Sequence, residues 1–181
     1  NIERNLYLTT QLIETGVPVV IALNMADLIE KRGLKIDTKR LSMVLGCPII
    51  ETSALKGTGL KELIAEAVKV AKQGEHQLPQ SIFSEKIEKA IDTVVPALSE
   101  TITANKKRWY AVKVLENDEK VMNHIVLSSQ NKTTIDSLRK ELETELDDDM
   151  ESIITDGRYT YIQKLISTTV EKPKEKLTMS D

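Results

Sequence analysis

The stretch "VVIALNMAD", residues 19–27, decides how this chain is read. With Val17 and Pro18 ahead of it, five unbroken apolar residues lead to Asn24, and Asp27 follows three positions later. A continuous apolar, β-branched run is the pattern of a parallel strand covered on both faces. The spacing predicts that strand over 17–24. Ligands of open α/β sheets bind beyond the carboxyl ends of the strands, where Asn24 and Asp27 would lie.

The surroundings repeat the pattern. Residues 1–16 place Ile2, Leu6, Leu8, Leu12 and Ile13 mostly at helical spacing and stop at Gly16. Asp37 or Thr38 caps a second helix that turns Leu41, Val44 and Leu45 inward and ends at Gly46. "CPIIET" (47–52) is a second strand. Leu60, Leu63, Ile64, Ala67, Val68 and Ala71 form the apolar stripe of a third helix, ending near Gly74. Helix–strand–helix–strand–helix implies a parallel α/β sheet over residues 1–74, and two strands are few for one. "EHQLPQS" (75–81) reads as a linker. Residues 82–172 carry helical spacing: a helix through Ile87, Ile91, Val94, Val95, Leu98 and Ile102 with Pro96 as a break, then "KRWYAVKVLEND". Shorter and longer helices follow through Val121 and Ile125, through Ile135 to Leu146, and from Met150 to Ile166. This half is expected to be an all-α bundle. The charged tail 173–181 has no apolar face.

Composition narrows the class. The chain has 181 residues, 40% hydrophobic and 29% charged, with a net charge of −3, which gives no general pull towards nucleic acid. No apolar run reaches the ~18 residues of a membrane span. The single cysteine, Cys47, forms no internal disulfide and is expected to be an inert core thiol.

Asn-x-x-Asp after one strand and Ser-Ala after the next fit guanine recognition. Guanine offers two adjacent donors, its ring N1–H and its exocyclic amine. A carboxylate at Asp27 accepts both in parallel, whereas adenine turns an acceptor to the same place. Asn24 carries donor and acceptor, so it can meet the base's far edge and tie the two loops together. The Ala54 N–H suits the guanine carbonyl, and Ser53 would hold that loop in shape. Asn and Asp are common where strands turn, so the four-residue motif alone is weak. The "TSALKGTGL" loop (52–60) after a second strand is what makes it specific. Gly57 and Gly59 have a loop role either way.

These residues resemble the later half of a Ras-like G domain, its fourth and fifth guanine-binding motifs. More closely, "NIERNLYLTTQLIETGVPVVIALNMADLIEKRGLKID" with "LGCPIIETSALKGTGL" resembles the bacterial ferrous iron transport protein B family. That family often has Met between the Asn and the Asp, as at Met25, whose apolar stem can cover a face of the base. "RWYAVKVLEND" and "ITDGRYTYIQKLI" resemble the helical spacer that follows the G domain there, and "KEKLTMSD" the linker towards its membrane segments. The resemblance implies an α/β fold, an incomplete Ras-like P-loop G domain with parallel strands and helices, followed by the all-α bundle. It implies a module on the cytoplasmic face of the bacterial inner membrane whose GTP binding and hydrolysis support Fe²⁺ uptake by a membrane transport domain, the spacer strengthening GDP binding. Asn24, Met25, Ala26 and Asp27 carry over as the base-specificity motif, and Thr52, Ser53 and Ala54 as the base-contacting loop.

The departures are as informative. No Gly-x-x-x-x-Gly-Lys-Ser/Thr loop occurs, nor the threonine-bearing switch, nor Asp-x-x-Gly. The chain is therefore expected to hold the guanine end of GTP or GDP, to carry no catalytic residue or metal ligand, and not to hydrolyse GTP by itself. Mg²⁺ is expected only with an intact G domain, and the missing N-terminal half of that domain is an expected partner. Without it the 17–24 strand would expose an apolar edge, so self-association through that edge, rearrangement, or partial disorder of 1–74 is expected. Two competing classes are a non-catalytic helical docking or sensing module with a vestigial G-like part, and a soluble GTPase of ribosome assembly. The acidic 143–151 stretch argues against the last.

The remaining polar residues have plainer readings. His76 and His124 are isolated. Asp147, Asp148, Asp149 and Glu151 fit helix capping better than Fe²⁺ binding. Lys106, Lys107 and Arg108 read as a solvated cluster ahead of a packed Trp109, and Arg158, Tyr159 and Tyr161 as packing or pairing inside the bundle.

Overall fold

A computed structural model describes residues 2–25, 29, 31–74 and 82–171. The described residues of Pro18–Gln77 and Lys164–Asp181 form one compact unit, and those of Asn1–Val17 and Leu78–Gln163 another.

In the first, α/β unit, strand β1 (Ile21–Leu23) pairs in parallel with β3 (Ile49–Glu51), with Ile21 opposite Ile49 and Leu23 opposite Glu51. The Ile21 N–H donates to the Pro48 carbonyl, and the Thr52 N–H to the Leu23 carbonyl, each at 2.9 Å, so the ladder runs past β3 into the loop that follows. The strand is shorter than the expected 17–24, since Pro18 has no N–H to give a ladder. Cover on both faces is not reached either: Ile21 and Leu23 are half-buried and Ala22 is exposed. Among the described residues this sheet has two strands.

Between them lie β2 (Lys35–Ile36) and α2 (Thr38–Leu45). Asp37 caps α2, its Oδ1 accepting the Arg40 N–H at 2.9 Å, and Gly46 ends it in the left-handed conformation with its N–H on the Ser42 carbonyl. Asp37→Ala should lower the unit's stability by about 1 kcal/mol in urea unfolding followed by circular dichroism, the usual effect of losing such a cap. Leu41 and Leu45 are buried beneath α2. Cys47 is buried too, and burial pushes its thiol up to about 11, so it stays protonated and inert at neutral pH.

Helix α3 (Leu60–Gln73) departs from its expected orientation. Val70 is its buried residue, while Leu60, Ile64 and Val68 are 40%, 65% and 50% exposed. The half-buried Glu66 and Leu63 lie one and two turns from Val70, so the helix rests on that side and leaves most of its apolar stripe open. A strand pair that sequence periodicity missed completes the unit: β2 runs antiparallel to β4 (Val170–Glu171), Ile36 opposite Val170.

The helical unit contains α1 (Ile2–Glu14), α4 (Glu85–Val94), a 3₁₀ turn (Val95–Ala97), α5 (Ala104–Leu115), α6 (Glu119–Met122), α7 (Ser129–Leu146) and the start of α8 (Met150–Thr169). Pro96 sits in the 3₁₀ turn and ends α4, so Ile102 falls outside that helix. The core is one cluster of Ile87, Ile91 and Val94 from α4, Val112, Val114 and Leu115 from α5, Ile135 and Leu142 from α7, and Met150 and Ile154 from α8. Arg139 donates to the Val114 and Leu115 carbonyls at 2.9 and 3.1 Å, satisfying the end of α5.

The acidic stretch caps helices. Asp149 accepts the Ser152 N–H at 2.8 Å and the Ser152 hydroxyl at 3.1 Å, and these bonds hold its carboxyl below the usual range. Glu143 accepts the Met150 N–H. Tyr159 stacks on Tyr7 of α1, ring centroids 4.7 Å apart. Arg158 makes a buried ion pair with Glu14 of α1, both residues 2% exposed.

Candidate functional site

Both expected motifs lie at the carboxyl ends of neighbouring parallel strands. Asn24 directly follows β1, and Thr52 directly follows β3. The register that sets Leu23 opposite Glu51 brings the two loops side by side, and the Asn24 side chain joins them: its Oδ1 accepts the Ala54 N–H at 3.1 Å. That is the tie between loops expected of Asn24. In this structure it also occupies the Ala54 N–H that sequence reading assigns to a base carbonyl.

Met25 follows in the left-handed region, φ 62°, with its side chain 57% exposed. A non-glycine residue held there costs roughly 1–2 kcal/mol, and such strain concentrates where the backbone must aim a ligand-binding group. The Met25 carbonyl accepts the Ile29 N–H at 3.0 Å. Ala26 and Asp27, the other half of the expected base motif, lie outside the described residues.

The second loop is internally braced. Thr52 and Ser53 are buried, while Ala54 and Leu55 are exposed at its tip, Leu55 at 94%. Ser53 and Thr58 exchange backbone hydrogen bonds at 3.1 and 3.2 Å across the loop neck, and the Ser53 hydroxyl accepts the Lys56 N–H at 3.4 Å. Thr58 is a member that sequence reading missed. Its only signal is its place between Gly57 and Gly59.

Gly59 is the tightest point. Its φ is +75°, and a Cβ there would sit 2.2 Å from the Glu51 carbonyl oxygen, a backbone atom of β3. Only glycine lets the chain pass that close and start α3. Gly57 shares the left-handed φ but meets nothing within 4 Å. Gly59→Ala should therefore destabilise the unit by about 2–3 kcal/mol and disturb the Ala54 amide signal, while Gly57→Ala costs about 1 kcal/mol. Urea unfolding and amide spectra of the two variants check the difference.

Among the described residues no group of three or more His, Cys, Asp or Glu side chains could hold a metal ion. No helix among them is long and apolar enough to cross a membrane.

A parallel sheet with an Asn-bearing loop tied to a Ser-Ala loop, together with a helical bundle, defines a G-domain protein with an appended helical domain. Comparison with known proteins gives the family. Residues 1–67 match the family described as ferrous iron transport protein B, and residues 83–171 match the FeoB cytosolic helical domain. The chain belongs to the ferrous iron transport protein B family. It is 37% identical over its full length to an Fe(2+) transport protein A/Fe(2+) transporter FeoB fusion protein of Porphyromonas gingivalis, and 31% identical over 98% of its length to the Fe(2+) transporter FeoB of Salmonella typhimurium. It spans 23% of the length of each. Among solved structures, a mutant S. thermophilus NFeoB bound to GDP superposes with a TM-score of 0.87 at 37% identity, covering 94% of this chain and 66% of that one. S. thermophilus NFeoB bound to mGMPPNP gives 0.82 at 36% identity, covering 96% and 65%.

Proposed function

We propose that this chain is the base-reading part of a guanine-nucleotide module, with its helical spacer, in a bacterial inner-membrane Fe²⁺ transporter. Asn24, Met25, Ala26 and Asp27 form one wall of the guanine pocket, and Thr52, Ser53 and Ala54 the other. The observation that carries this reading is the 3.1 Å bond from the Ala54 N–H to Asn24 Oδ1, which joins the two motifs at the carboxyl ends of paired parallel strands. Asp27 would take both guanine donors as charge-assisted bonds, and the Ala54 N–H would be shared between Asn24 and the base carbonyl. The exposed stripe of Leu60, Ile64 and Val68 is an apolar surface for the rest of a G domain to cover. Residues 1–74 would be the later half of that domain, 75–81 a linker, 82–172 the spacer and 173–181 the lead towards the membrane region. Phosphate binding, Mg²⁺ and hydrolysis would belong to the phosphate-binding half, and nothing in this chain would cleave GTP.

The test is an amide-shift titration of the isotope-labelled chain with 5′-GMP against 5′-AMP. GMP should move the Asn24 side-chain amide and the Ala54 amide, and AMP should not. Equal responses to both nucleotides, or none to GMP, overturn the reading.

A further inference from the structure

Two clefts of similar size among the described residues of the helical unit have opposite chemistry. One, about 370 Å³, is lined by Lys113, Glu116, Asn117, Asp118, Glu119, Lys120 and Glu151. Its carboxylates outnumber its cations, and Lys113 is already committed to Glu116 at 2.6 Å and Asp118 at 3.8 Å. The other, about 390 Å³, lies where the turn before α5, the first turns of α5 and the segment after α6 meet. Its volume falls within the roughly 300–1,000 Å³ usual for small-molecule sites.

No carboxylate lines this second cleft, although acids outnumber bases in the chain, 28 to 25. Its polar side chains are Lys106, His124, Tyr110, Ser99, Thr101 and Thr103, and Ile102, Ile125 and Val126 form an apolar side. The basic run 106–108 divides here. Lys107 pairs with Glu100 at 3.2 Å and Arg108 with Glu88 at 2.7 Å, whereas Lys106 makes no ion pair among the described residues. The His124 ring is oriented by Nδ1, 2.6 Å from the Lys120 carbonyl, so that bond needs the proton on Nδ1 and leaves Nε2 of the neutral ring as an acceptor for a ligand's own O–H. The Ser99 and Thr101 hydroxyls lie 2.9 Å apart. One donates to the other, so the acceptor's own hydrogen is left to give.

An ammonium with no ion pair among the described residues and several hydroxyl donors, around a wall without carboxylates, match an oxyanion. A phosphoryl group points its three oxygens in three directions, so donors from the turn and from the first turn of α5 can each reach one, and the apolar side suits a small organic substituent. We propose that this cleft binds a small soluble phosphomonoester, its phosphoryl group held by Lys106 with Ser99, Thr101 and Thr103, and its organic part set against Ile102, Ile125 and Val126. It shares no residue with the proposed guanine pocket.

Titrating the isotope-labelled 181-residue chain with phenyl phosphate, inorganic phosphate and, at matched ionic strength, sodium chloride tests this. Phenyl phosphate should give saturable shifts at the Thr101, Thr103 and Lys106 amides, with Kd on the order of 1 mM. Inorganic phosphate should bind the same residues several-fold more weakly. Lys106→Gln should weaken phenyl phosphate about tenfold, the effect of about 1.4 kcal/mol from one charge-assisted contact, while Lys107→Gln leaves it unchanged. Chloride reproducing the shifts, shifts that do not saturate, or equal losses in both lysine variants overturns the proposal. Both lysines precede the buried part of α5. If the Lys106 variant fails to fold, Thr103→Val provides the same comparison, with weakened binding expected and unchanged binding counting against the site.

Discussion

Replacing Arg158 with methionine should destabilise the helical unit by about 3–5 kcal/mol, the range for removing one partner of a buried ion pair. Arg158 of α8 and Glu14 of α1 are each 2% exposed and bonded to one another. The guanidinium also faces the Phe83 ring, 5.4 Å from its centroid, with Arg108 at 6.0 Å. Methionine fills comparable space but leaves Glu14 charged and unpaired, and Glu14 Oε1 already lacks a hydrogen-bond partner among the described residues. Urea unfolding followed by Trp109 fluorescence reads the loss, since Trp109 packs against the same core. Adding Glu14→Met should restore most of the lost stability, because an apolar pair of similar volume removes the stranded charge. A double variant no more stable than Arg158→Met would show that the pair's charge is not what the single change exposes.

The same variant has a pH signature. Burial raises the Glu14 carboxyl above its usual value, outweighing the charge and hydrogen bond of Arg158 that lower it; Arg108 also lowers it and Glu116 raises it. A carboxyl raised in the folded state favours folding most below its unfolded value, and that contribution is lost as pH rises through the folded value. Removing Arg158 removes both of its lowering influences, so the variant's deficit relative to the parent should be largest at neutral pH and shrink in acid. Glu88 has the opposite sign. Burial alone would raise it, but the paired bonds and charge of Arg108 and the Phe83 N–H together hold it below the usual range. Its contribution is present above the unfolded value and is lost as pH falls through the folded one, in parent and variant alike. It therefore cancels in the difference.

Asp27→Asn should exchange guanine for xanthine selectivity by roughly 10⁴-fold, the scale on which a site built to hydrogen-bond one group rejects its analogue. A carboxylate accepts from both the ring N1–H and the exocyclic amine of guanine. Asparagine keeps one acceptor and gains a donor, and xanthine presents a carbonyl where guanine has its amine, so the donor finds a partner. With guanine, two donors then face each other and one group is left unpaired. The measurement is competition between GDP and XDP in a chain that also carries a phosphate-binding loop, where affinity is high enough to resolve the ratio. Unchanged GDP preference would remove Asp27 from the base-reading role.

The two loop motifs proposed to read the base were legible because each is local. A β-branched run that stops at Asn24 and a short strand that stops before Thr52 place their polar ends together once the strands pair in parallel, and the Asn24–Ala54 bond is the tie that the spacing implied. The five helices beyond residue 82 were legible for the same reason: their apolar residues recur within each segment, and the breaks fall at Pro96, Asp118, Ser128 and Asp149. The side on which α3 packs was not legible. Its apolar residues outnumber the places available among the described residues, and only the packing shows that Val70 rather than Ile64 is covered.

By itself, then, the sequence determined most of the helices and the two strands that pair in parallel, and it named the side chains proposed to tell guanine from adenine. Those properties depend on neighbours within a few residues and on the chemistry of single groups. Only the tertiary structure decided what depends on residues far apart. β2 meets β4 across most of the chain through two residues each, too short for any period to mark. Gly59 is required because a carbonyl of β3 occupies the space a Cβ would need. Glu14, on an otherwise ordinary amphipathic helix, is buried because Arg158, 144 positions away, is there to receive it. A charge enters a core only with its partner, and no local pattern names a partner at that distance.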